Sequence, residues 1–473
     1  MWETAQTRNR RSWIQSATCG TGSLMSAGIL TELLAADDRV PTTFDSLAAR
    51  PPHFAPRAKR VIFLYMTGGV SHVDSFDPKP QLTKDHGKTM IPGQGRDSAG
   101  RTTYLKGAHW AFAPRGECGT EVSDLFPKIA DCMDDICVIR SMKTDHINHY
   151  EAALQVHSGS FSLTRPTIGS WLSYGLGTEN NNLPSVVVLA PLLPYGGPQL
   201  WTSDFLPGCH QGTRVVPGSD PIADLTSHQP TAALQRLELQ MLQRMNRRHL
   251  DPRQHAILSS RMASFETAYG MQIEAPKVFD ISEESLGTLE SYGLEQDSTA
   301  GFAWQCLVAR RLAERGVRYV ELVHGGSSPG GNWDAHANVP ENHSKLARQV
   351  DRPIAALLKD LKSRGMLDET LVVWTTEFGR TPYDAGKDST GRSHQHFAFS
   401  SWLAGGGVKA GTVYGATDEY GLSVTEDLVH IHDFHATILN LMGLDHTQLT
   451  YRHAGRDFRL TDVGGRVVEE IIA

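Results

Sequence analysis

Several of the 21 histidines in this chain stand within a few residues of a carboxylate. Among the residues that could take part in chemistry are His72, Asp74, His149, Asp334, His336, Glu377, Arg380 and His394. Neutral imidazole and carboxylate are the groups that hold zinc, manganese or iron in proteins. A mixed set suits a one-metal or two-metal site, where cations stabilise the attacking and leaving oxygens of phosphoryl or sulfuryl transfer. The pattern therefore predicts a metal-dependent hydrolytic site.

These residues follow short, continuous apolar runs, which are typical of buried strands in a parallel sheet. The runs span residues 61–66, 136–139, 185–189, 317–323 and 370–375. Helical patterns lie between them, over residues 121–133, 147–158, 300–315 and 341–364. Strands that alternate with helices predict a mostly parallel sheet covered on both faces. Ligands bind beyond the carboxyl ends of such strands, so we expect the candidate residues to meet at one edge of the sheet.

One segment breaks this alternation. Residues 229–296 contain no strand-like run but many Gln, Arg, Leu and Met residues. We interpret them as two or three amphipathic helices that are inserted as a cap. Such an insertion is expected to shape access to the site.

The N-terminal region is typical of an export signal. Residues 9–15 read NRRSWIQ, and a weakly apolar stretch of small residues follows, up to Ala35-Ala36. A twin-arginine pair before such a stretch predicts a signal peptide over 1–36, with the twin-arginine export machinery as its partner. Residues 37–58, which contain four prolines, are interpreted as a linker. The alternative is a basic tail before a surface helix.

The predicted consequence is a periplasmic or otherwise exported protein. The stretch after the arginines is too rich in polar residues and glycine for a convincing membrane span, so no stable span is expected in the mature chain. An exported location permits disulfides, and Cys118, Cys132 and Cys137 are near enough in sequence to pair. The sequence has no CxxC pair, which argues against a cysteine-based zinc site.

Composition excludes two broad classes. Hydrophobic residues make up 40% and charged residues 21% of the 473 residues, which is the range of a folded globular protein and not of a disordered chain. The formal net charge of −7 argues against nucleic acid as a partner, because such binders normally present a basic face.

Several motifs resemble one known family. They are residues 68–80 (GGVSHVDSFDPKP), 165–171 (RPTIGSW), 332–336 (NWDAH), 377–382 (EFGRTP), 391–394 (GRSH) and 404–409 (AGGGVK). From Arg57 onward the chain resembles the domain-of-unknown-function 1501 family, exported proteins related to sulfatases within the alkaline phosphatase superfamily. The resemblance implies a three-layer α/β/α sandwich with a mostly parallel sheet. It also implies one sulfatase-like catalytic domain over residues 59–473, with the helical insertion at about 229–296.

The resemblance also implies roles for individual residues. Asp334, His336 and His394 match the first metal cluster of the superfamily, and zinc is the expected divalent ion. Thr67 and Phe378 stand where the superfamily has ligands of a second metal, so His72, Asp74 and Glu377 would have to complete or replace that site. His149 lies near the nucleophile position, as nucleophile, general base or ligand. Arg380 would steady the leaving oxyanion or only brace its loop.

The leading expectation is therefore an exported metal-dependent hydrolase that cleaves a phosphate or sulfate ester of a small molecule or saccharide. A formylglycine mechanism is disfavoured, because Cys306 to Arg310 match only the ends of the Cys-x-Pro-x-Arg motif. The alternative is a degenerate, non-catalytic member that binds anionic saccharides or another ligand. A phosphomutase or phosphotransferase is a weaker third reading, since phosphorylated metabolites are mostly cytoplasmic.

Overall fold

The computed structural model describes residues 47–223, 225, 231–250, 256–328 and 330–473. The predicted signal peptide, residues 1–36, and residues 37–46 of the predicted linker lie outside the described residues. The largest element is a 9-stranded sheet. Its strands are β1 Arg60–Met66, β2 Ile136–Lys143, β3 Val186–Leu189, β4 Thr213–Val215, β5 Tyr319–His324, β6 Thr370–Thr375, β7 Phe399–Ala404, β8 Thr412–Tyr414 and β9 Val429–His430.

The strand order is β8-β2-β7-β6-β1-β5-β3-β4, and β9 pairs with β2. Central β1 is parallel to both of its neighbours, with Tyr65 opposite Thr375 of β6 and Met66 opposite His324 of β5. Strand β7 is antiparallel to both β6 and β2, whereas the other pairs in the sheet are parallel. The sheet is thus mostly parallel, as the alternation of apolar runs and helices predicts.

Helices cover both faces of this sheet. They are α1 Pro80–Lys84, α2 Pro127–Ala130, α3 His149–Ser158, α4 Ile168–Leu176, α5 Ala232–Leu250, α6 Ala256–Phe279, α7 Leu286–Tyr292, α8 Phe302–Glu314, α9 Val339–Ser363 and α10 Ile431–Leu441. Within the predicted insertion at residues 229–296, the described residues form α5, α6 and α7. No helix of the described ranges combines the length and the apolar composition that crossing a membrane requires.

Alternate side chains of β1 enter two separate cores, as the pleat of a strand dictates. Ile62 and Leu64 pack with apolar residues of α8 and α9, and Val61 and Phe63 pack with those of α3, α4 and α10. The apolar stripe predicted along residues 341–364 is buried in the first of these cores. The three-layer α/β/α sandwich predicted from the sequence is therefore confirmed.

Five small antiparallel sheets of two or three strands lie outside the 9-stranded sheet in the described residues. They are formed by Thr89–Met90, Thr103–Leu105 and Tyr383–Asp384; Phe112–Arg115 and Thr120–Ser123; Gly379–Arg380 and His394–Gln395; Ala416–Thr417 and Val424–Glu426; and Tyr451–His453 and Arg456–Phe458.

The helix predicted over residues 121–133 is wrong for most of its length. Residues Thr120–Ser123 pair with Phe112–Arg115 as an antiparallel ribbon, because β-branched Thr120 and Val122 favour extended backbone. The helix begins only at Pro127, whose fixed backbone angle suits a first helical position. The pairing suggested for Cys118, Cys132 and Cys137 is absent too, since these three are free thiols in the structure.

Candidate metal centre

The carboxyl ends of β1, β2, β5 and β6 reach the same edge of the sheet, because these strands run in one direction. A loop from β2 leads to His149 at the first position of α3. The loop after β5 carries Asp334 and His336, and the segment between β6 and β7 carries Glu377 and His394. The order of strands thus brings together residues that are far apart in sequence.

The glycine pair after β1 allows these loops to approach closely. Gly68 has a φ of +112°, and a Cβ at this position would lie 2.6 Å from the backbone nitrogen of Asp334. Gly69 has a φ of +80°, and a Cβ there would lie 3.0 Å from the ring of Phe378. Glycine is therefore required at Gly68 both by its backbone angle and by the loop that presents Asp334.

Asp334 is the centre of a cluster with three histidines. Its Oδ2 lies 3.3 Å from Nε2 of His149, and its Oδ1 lies 2.9 Å from Nε2 of His336 and 3.5 Å from Nε2 of His394. Donor atoms of His149, Asp334 and His394 all lie within 4.8 Å of one another. The side chain of His336 is 50% exposed and approaches from the solvent side. The structure thus assembles Asp334, His336 and His394, as predicted, and adds His149.

The outer nitrogens of two histidines fix their orientation. Nδ1 of His394 donates to the carbonyl of Ile147 (2.9 Å), and Nδ1 of His149 donates to Oε1 of Glu377 (2.6 Å). Both Nε2 atoms therefore face Asp334. Nε2 of His149 is buried and makes no hydrogen bond within the described residues, since its 3.3 Å contact with Asp334 lacks hydrogen-bond geometry. A buried, unpaired imidazole nitrogen beside a carboxylate fits a metal ion that is held by these residues.

The pKa values of Asp334 and His394 are shifted in directions that favour binding of a cation. Burial alone would raise the pKa of Asp334, but the close approach of His149, His336 and His394 and the charge of Arg380 hold that pKa well below its usual range. Burial lowers the pKa of His394, which keeps this imidazole neutral near pH 7. An ionised carboxylate and a neutral imidazole are the states in which these residues bind metals.

Aromatic rings shield His149 from solvent. The ring of Tyr195 stacks on the imidazole with centroids 4.3 Å apart and planes at 11°, and Phe378 lies 4.7 Å away. The Tyr195 hydroxyl accepts a hydrogen bond from Asn332 (3.2 Å), whose side-chain oxygen accepts from the backbone nitrogen of Asp334 (3.1 Å). Tyr195 was not predicted. Its only signal in the sequence is that it follows strand β3, whose end carries neither histidine nor carboxylate.

Glu377 supports His149 from behind. Its carboxylate is buried and accepts from the Gly68 backbone (2.8 Å), from the Tyr65 hydroxyl (3.1 Å) and from Thr376 (3.1 Å), as well as from His149. Each carboxylate oxygen therefore already accepts two hydrogen bonds. The geometry suits a residue that orients a metal ligand and raises its basicity, in place of the second-site ligand suggested by the sequence.

His72 and Asp74 are not brought into the cluster. Nε2 of His72 donates to the carbonyl of Gly421 (2.9 Å). Asp74 is fully buried and accepts from Nε of Arg392 (2.7 Å) and from the backbone nitrogen of His109 (2.8 Å). The Arg392 guanidinium, against the effect of burial, holds the pKa of Asp74 at about 2. These contacts place Asp74 in a buried ion pair that braces the loops around the site.

Arg380 is also fully buried. Its Nε donates to the carbonyl of Gly69 (2.9 Å), and its terminal nitrogens donate to the carbonyls of Gly68 and Arg392 and to Oδ1 of Asp334 (2.7 Å). With most of its N–H groups directed at protein acceptors, Arg380 anchors Asp334. This arrangement favours the bracing role considered for Arg380 over contact with a leaving oxyanion.

Comparison with solved structures gives similarities of low identity. The lipoteichoic acid synthase LtaP from Listeria monocytogenes is 8% identical, over 88% of this chain and 78% of that one, with a TM-score of 0.38. The sulfatase PsFucS1 from Pseudoalteromonas sp. is 13% identical, over 82% and 68% of the two chains, with a TM-score of 0.33. The alkaline phosphatase from the Antarctic bacterium TAB5 is 11% identical, over 81% and 98%, with a TM-score of 0.31.

No curated protein matches the sequence. The profile of a family described as "Protein of unknown function (DUF1501)" matches residues 58–472. This match spans the sheet, both helical layers and every residue of the cluster, and it confirms the family predicted from the motifs. The chain belongs to the DUF1501 family.

Proposed function

We propose that this protein is a metal-dependent hydrolase of phosphate or sulfate esters. The observation that carries the proposal is the convergence of His149, Asp334, His336 and His394, with the buried Nε2 of His149 left without a hydrogen-bond partner in the described residues. Three imidazoles and one carboxylate form a donor set typical of zinc, so zinc is the first divalent ion to test.

His149, Asp334 and His394 would hold the cation, and half-exposed His336 would close the site as a fourth ligand or carry a proton to solvent. Such a cation would supply Lewis-acid stabilisation of the charge that develops on the ester oxygens. The chain itself orients His149 through Glu377 and excludes water on one side through Tyr195. Glu377 holds Nδ1 of His149 and the cation would be held by Nε2, which makes this residue a ligand in the proposal and not a nucleophile.

The ester class rests on the resemblance of residues 332–336 and 391–394 to the sulfatase and alkaline phosphatase superfamily. We propose a small-molecule or saccharide ester as substrate. The protein would act in the periplasm or another exported location, reached by the twin-arginine route through Arg10 and Arg11. Replacing both arginines by lysine should leave the protein in the cytoplasmic fraction, and unchanged export would refute that route.

The test of the proposed function is metal analysis by mass spectrometry, followed by assays with 4-nitrophenyl phosphate and 4-nitrophenyl sulfate. Wild type should hold close to one equivalent of metal, and Asp334→Ala and His394→Ala should lose both metal and activity. His453→Ala, which replaces an exposed histidine, is the matched control and should keep both metal and activity. A wild type without metal after reconstitution and without turnover would instead favour the non-catalytic binding protein.

A further inference from the structure

Two chain segments run side by side away from the metal cluster. The backbone N–H of Thr144 donates to the carbonyl of His396 (3.1 Å), and Nδ1 of His394 donates to the carbonyl of Ile147 (2.9 Å). The contacts occur in opposite order along the two segments, so these run antiparallel. The cluster lies at one end of this pair of segments, and residues 143 and 396–397 lie at the other.

Two cations share one aromatic ring at that second end. Cζ of Arg96 lies 4.8 Å and Nζ of Lys143 lies 5.7 Å from the centre of the Phe397 ring. All three side chains are half-buried, so the pair of charges remains open to solvent. The ring of His396 lies 4.0 Å from that of Phe397, and its Nδ1 is buried without a hydrogen-bond partner in the described ranges. We call Arg96, Lys143, His396 and Phe397 the basic strip.

The positive charge of the basic strip is not balanced by an ion pair within the described residues. Arg96 donates to the carbonyl of Leu422 (2.5 Å) and to the hydroxyl of Ser423, neither of which carries charge. Lys143 has no carboxylate within ion-pair distance in the part of the chain that the structure describes. Two like charges on one aromatic ring repel each other, and an anion that binds both would relieve that repulsion.

The nearby carboxylates have other partners. Asp145 pairs with His430 (2.9 Å) and accepts from the side chain of Gln155 (2.5 Å). Asp97, next to Arg96 in sequence, accepts from the hydroxyl of Ser393. Neither carboxylate forms an ion pair with Lys143, although the lowered pKa of Asp145, which is due mainly to its hydrogen bond with His430, also reflects the charge of Lys143.

The spacing relates the basic strip to the cluster. Phe397 follows His394 by three residues, so the chain places the two at most about 10 Å apart along the backbone. A substrate whose reacting ester lies at the cluster could therefore place a second anionic group at the basic strip within that reach.

We infer that the basic strip binds a second sulfate or phosphate group of the substrate, so the substrate is an ester within a polyanion and not an isolated monoester. Arg96 and Lys143 supply charge and hydrogen bonds to the anion. The identity of the reacting group rests on the proposed function, whereas polyanion binding at the basic strip does not.

The test measures binding of fluorescently labelled dextran sulfate by anisotropy at fixed ionic strength. Inorganic sulfate, which carries only one anionic group, is the competitor. Lys143→Gln should weaken dextran sulfate binding by about threefold to fivefold, the range of a partly exposed charge contact. Lys143→Arg should bind like wild type. Lys359→Gln, a 58% exposed lysine on α9, is the matched control and should bind like wild type.

Adding Arg96→Gln to Lys143→Gln should weaken binding further, provided that thermal melting shows a folded protein. Equal losses in Lys143→Gln and Lys359→Gln would show only general charge attraction and would overturn the inference, as would absence of binding by wild type. Metal content of the same samples separates the two proposals. If the wild type holds no metal and has no activity, but still binds dextran sulfate in a way that depends on Lys143, the hydrolase proposal is refuted. The proposal of an anion subsite at the basic strip is then still supported.

Discussion

The residues around Asp334 fall into two groups in the proposed site: those that would bind the metal and those that orient the metal-binding residues. Asp334 receives three histidines and Arg380 on its two oxygens, whereas Glu377 lies one step further back and reaches the cluster only through His149. Strand-end position and residue type gave a set of candidates that includes Asp334, His336, His394 and His149, and the family resemblance selected these four. The sequence could not show that Glu377 orients His149 and is not itself a metal ligand, because this depends on the direction in which its buried carboxylate points.

Glu377→Gln should keep the shape of this support and remove its charge. We expect metal affinity to fall by about 10-fold to 100-fold, because the amide no longer raises the basicity of His149. Competition with a chelating dye measures this directly. Tyr65→Phe, which removes one hydrogen bond to the other carboxylate oxygen, should have a smaller effect. Equal affinities of wild type and Glu377→Gln would mean that Glu377 only fills space.

The ion pair of Asp74 and Arg392 is fully buried. Asp74→Asn leaves the Arg392 guanidinium without its counter-charge, and we expect the free energy of unfolding to fall by about 3–5 kcal/mol. Urea denaturation at pH 7 measures this. Asp124→Asn, which breaks an exposed pair with Arg115, should cost less than about 1 kcal/mol. Similar costs for both variants would contradict the account.

This ion pair also predicts a pH dependence. The pKa of Asp74 lies at about 2 in the folded protein, below the value of 3.8 for an unperturbed carboxyl. A depressed folded pKa stabilises the protein above the unfolded value and loses that effect as pH falls through the folded value. The difference in unfolding free energy between wild type and Asp74→Asn should therefore shrink between about pH 4 and pH 2. A constant difference over that window would show that the pair is not the cause.

Strands and helices position these residues, and some of these elements were easier to predict from the sequence than others. Strands β1, β3, β5 and β6 are continuous apolar runs, so their position and parallel direction could be predicted. Strand β7 was missed because it contains Ser400 and Ser401, although it is buried within the sheet. His72 and Asp74 were misplaced for a related reason. They lie on a one-turn 3-10 helix after β1, and no sequence periodicity shows which way so short an element faces.

The turn after β1 can be tested at Gly68. Gly68→Ala should move the backbone of Asp334, lowering both stability and metal affinity. Gly87 has a φ of +80° with no atom near its Cβ position, so Gly87→Ala isolates the backbone cost. We expect Gly68→Ala to lose about 1–3 kcal/mol more than Gly87→Ala, the usual cost of overpacking. Equal losses in urea denaturation would show that loop contact at Gly68 is unimportant.

At the scale of the whole molecule, the cluster connects segments that are distant in sequence. A bound cation would therefore stabilise the folded chain, because it binds the native state and not the separated segments. Chelation by EDTA should lower the Tm of wild type by several degrees. It should leave Asp334→Ala unchanged, since that variant has no cation to lose. A wild-type Tm that stays constant while the metal is removed would contradict this linkage.

The antiparallel direction of β7 has one more consequence. Residues 376–398 leave the sheet at the carboxyl end of β6 and return at the same edge, because β7 runs back along its neighbour. This one excursion carries Glu377, Arg380, Arg392 and His394. Both ends of this excursion lie at one edge, so an insertion within it would lengthen a loop beside the cluster without changing the order of the strands.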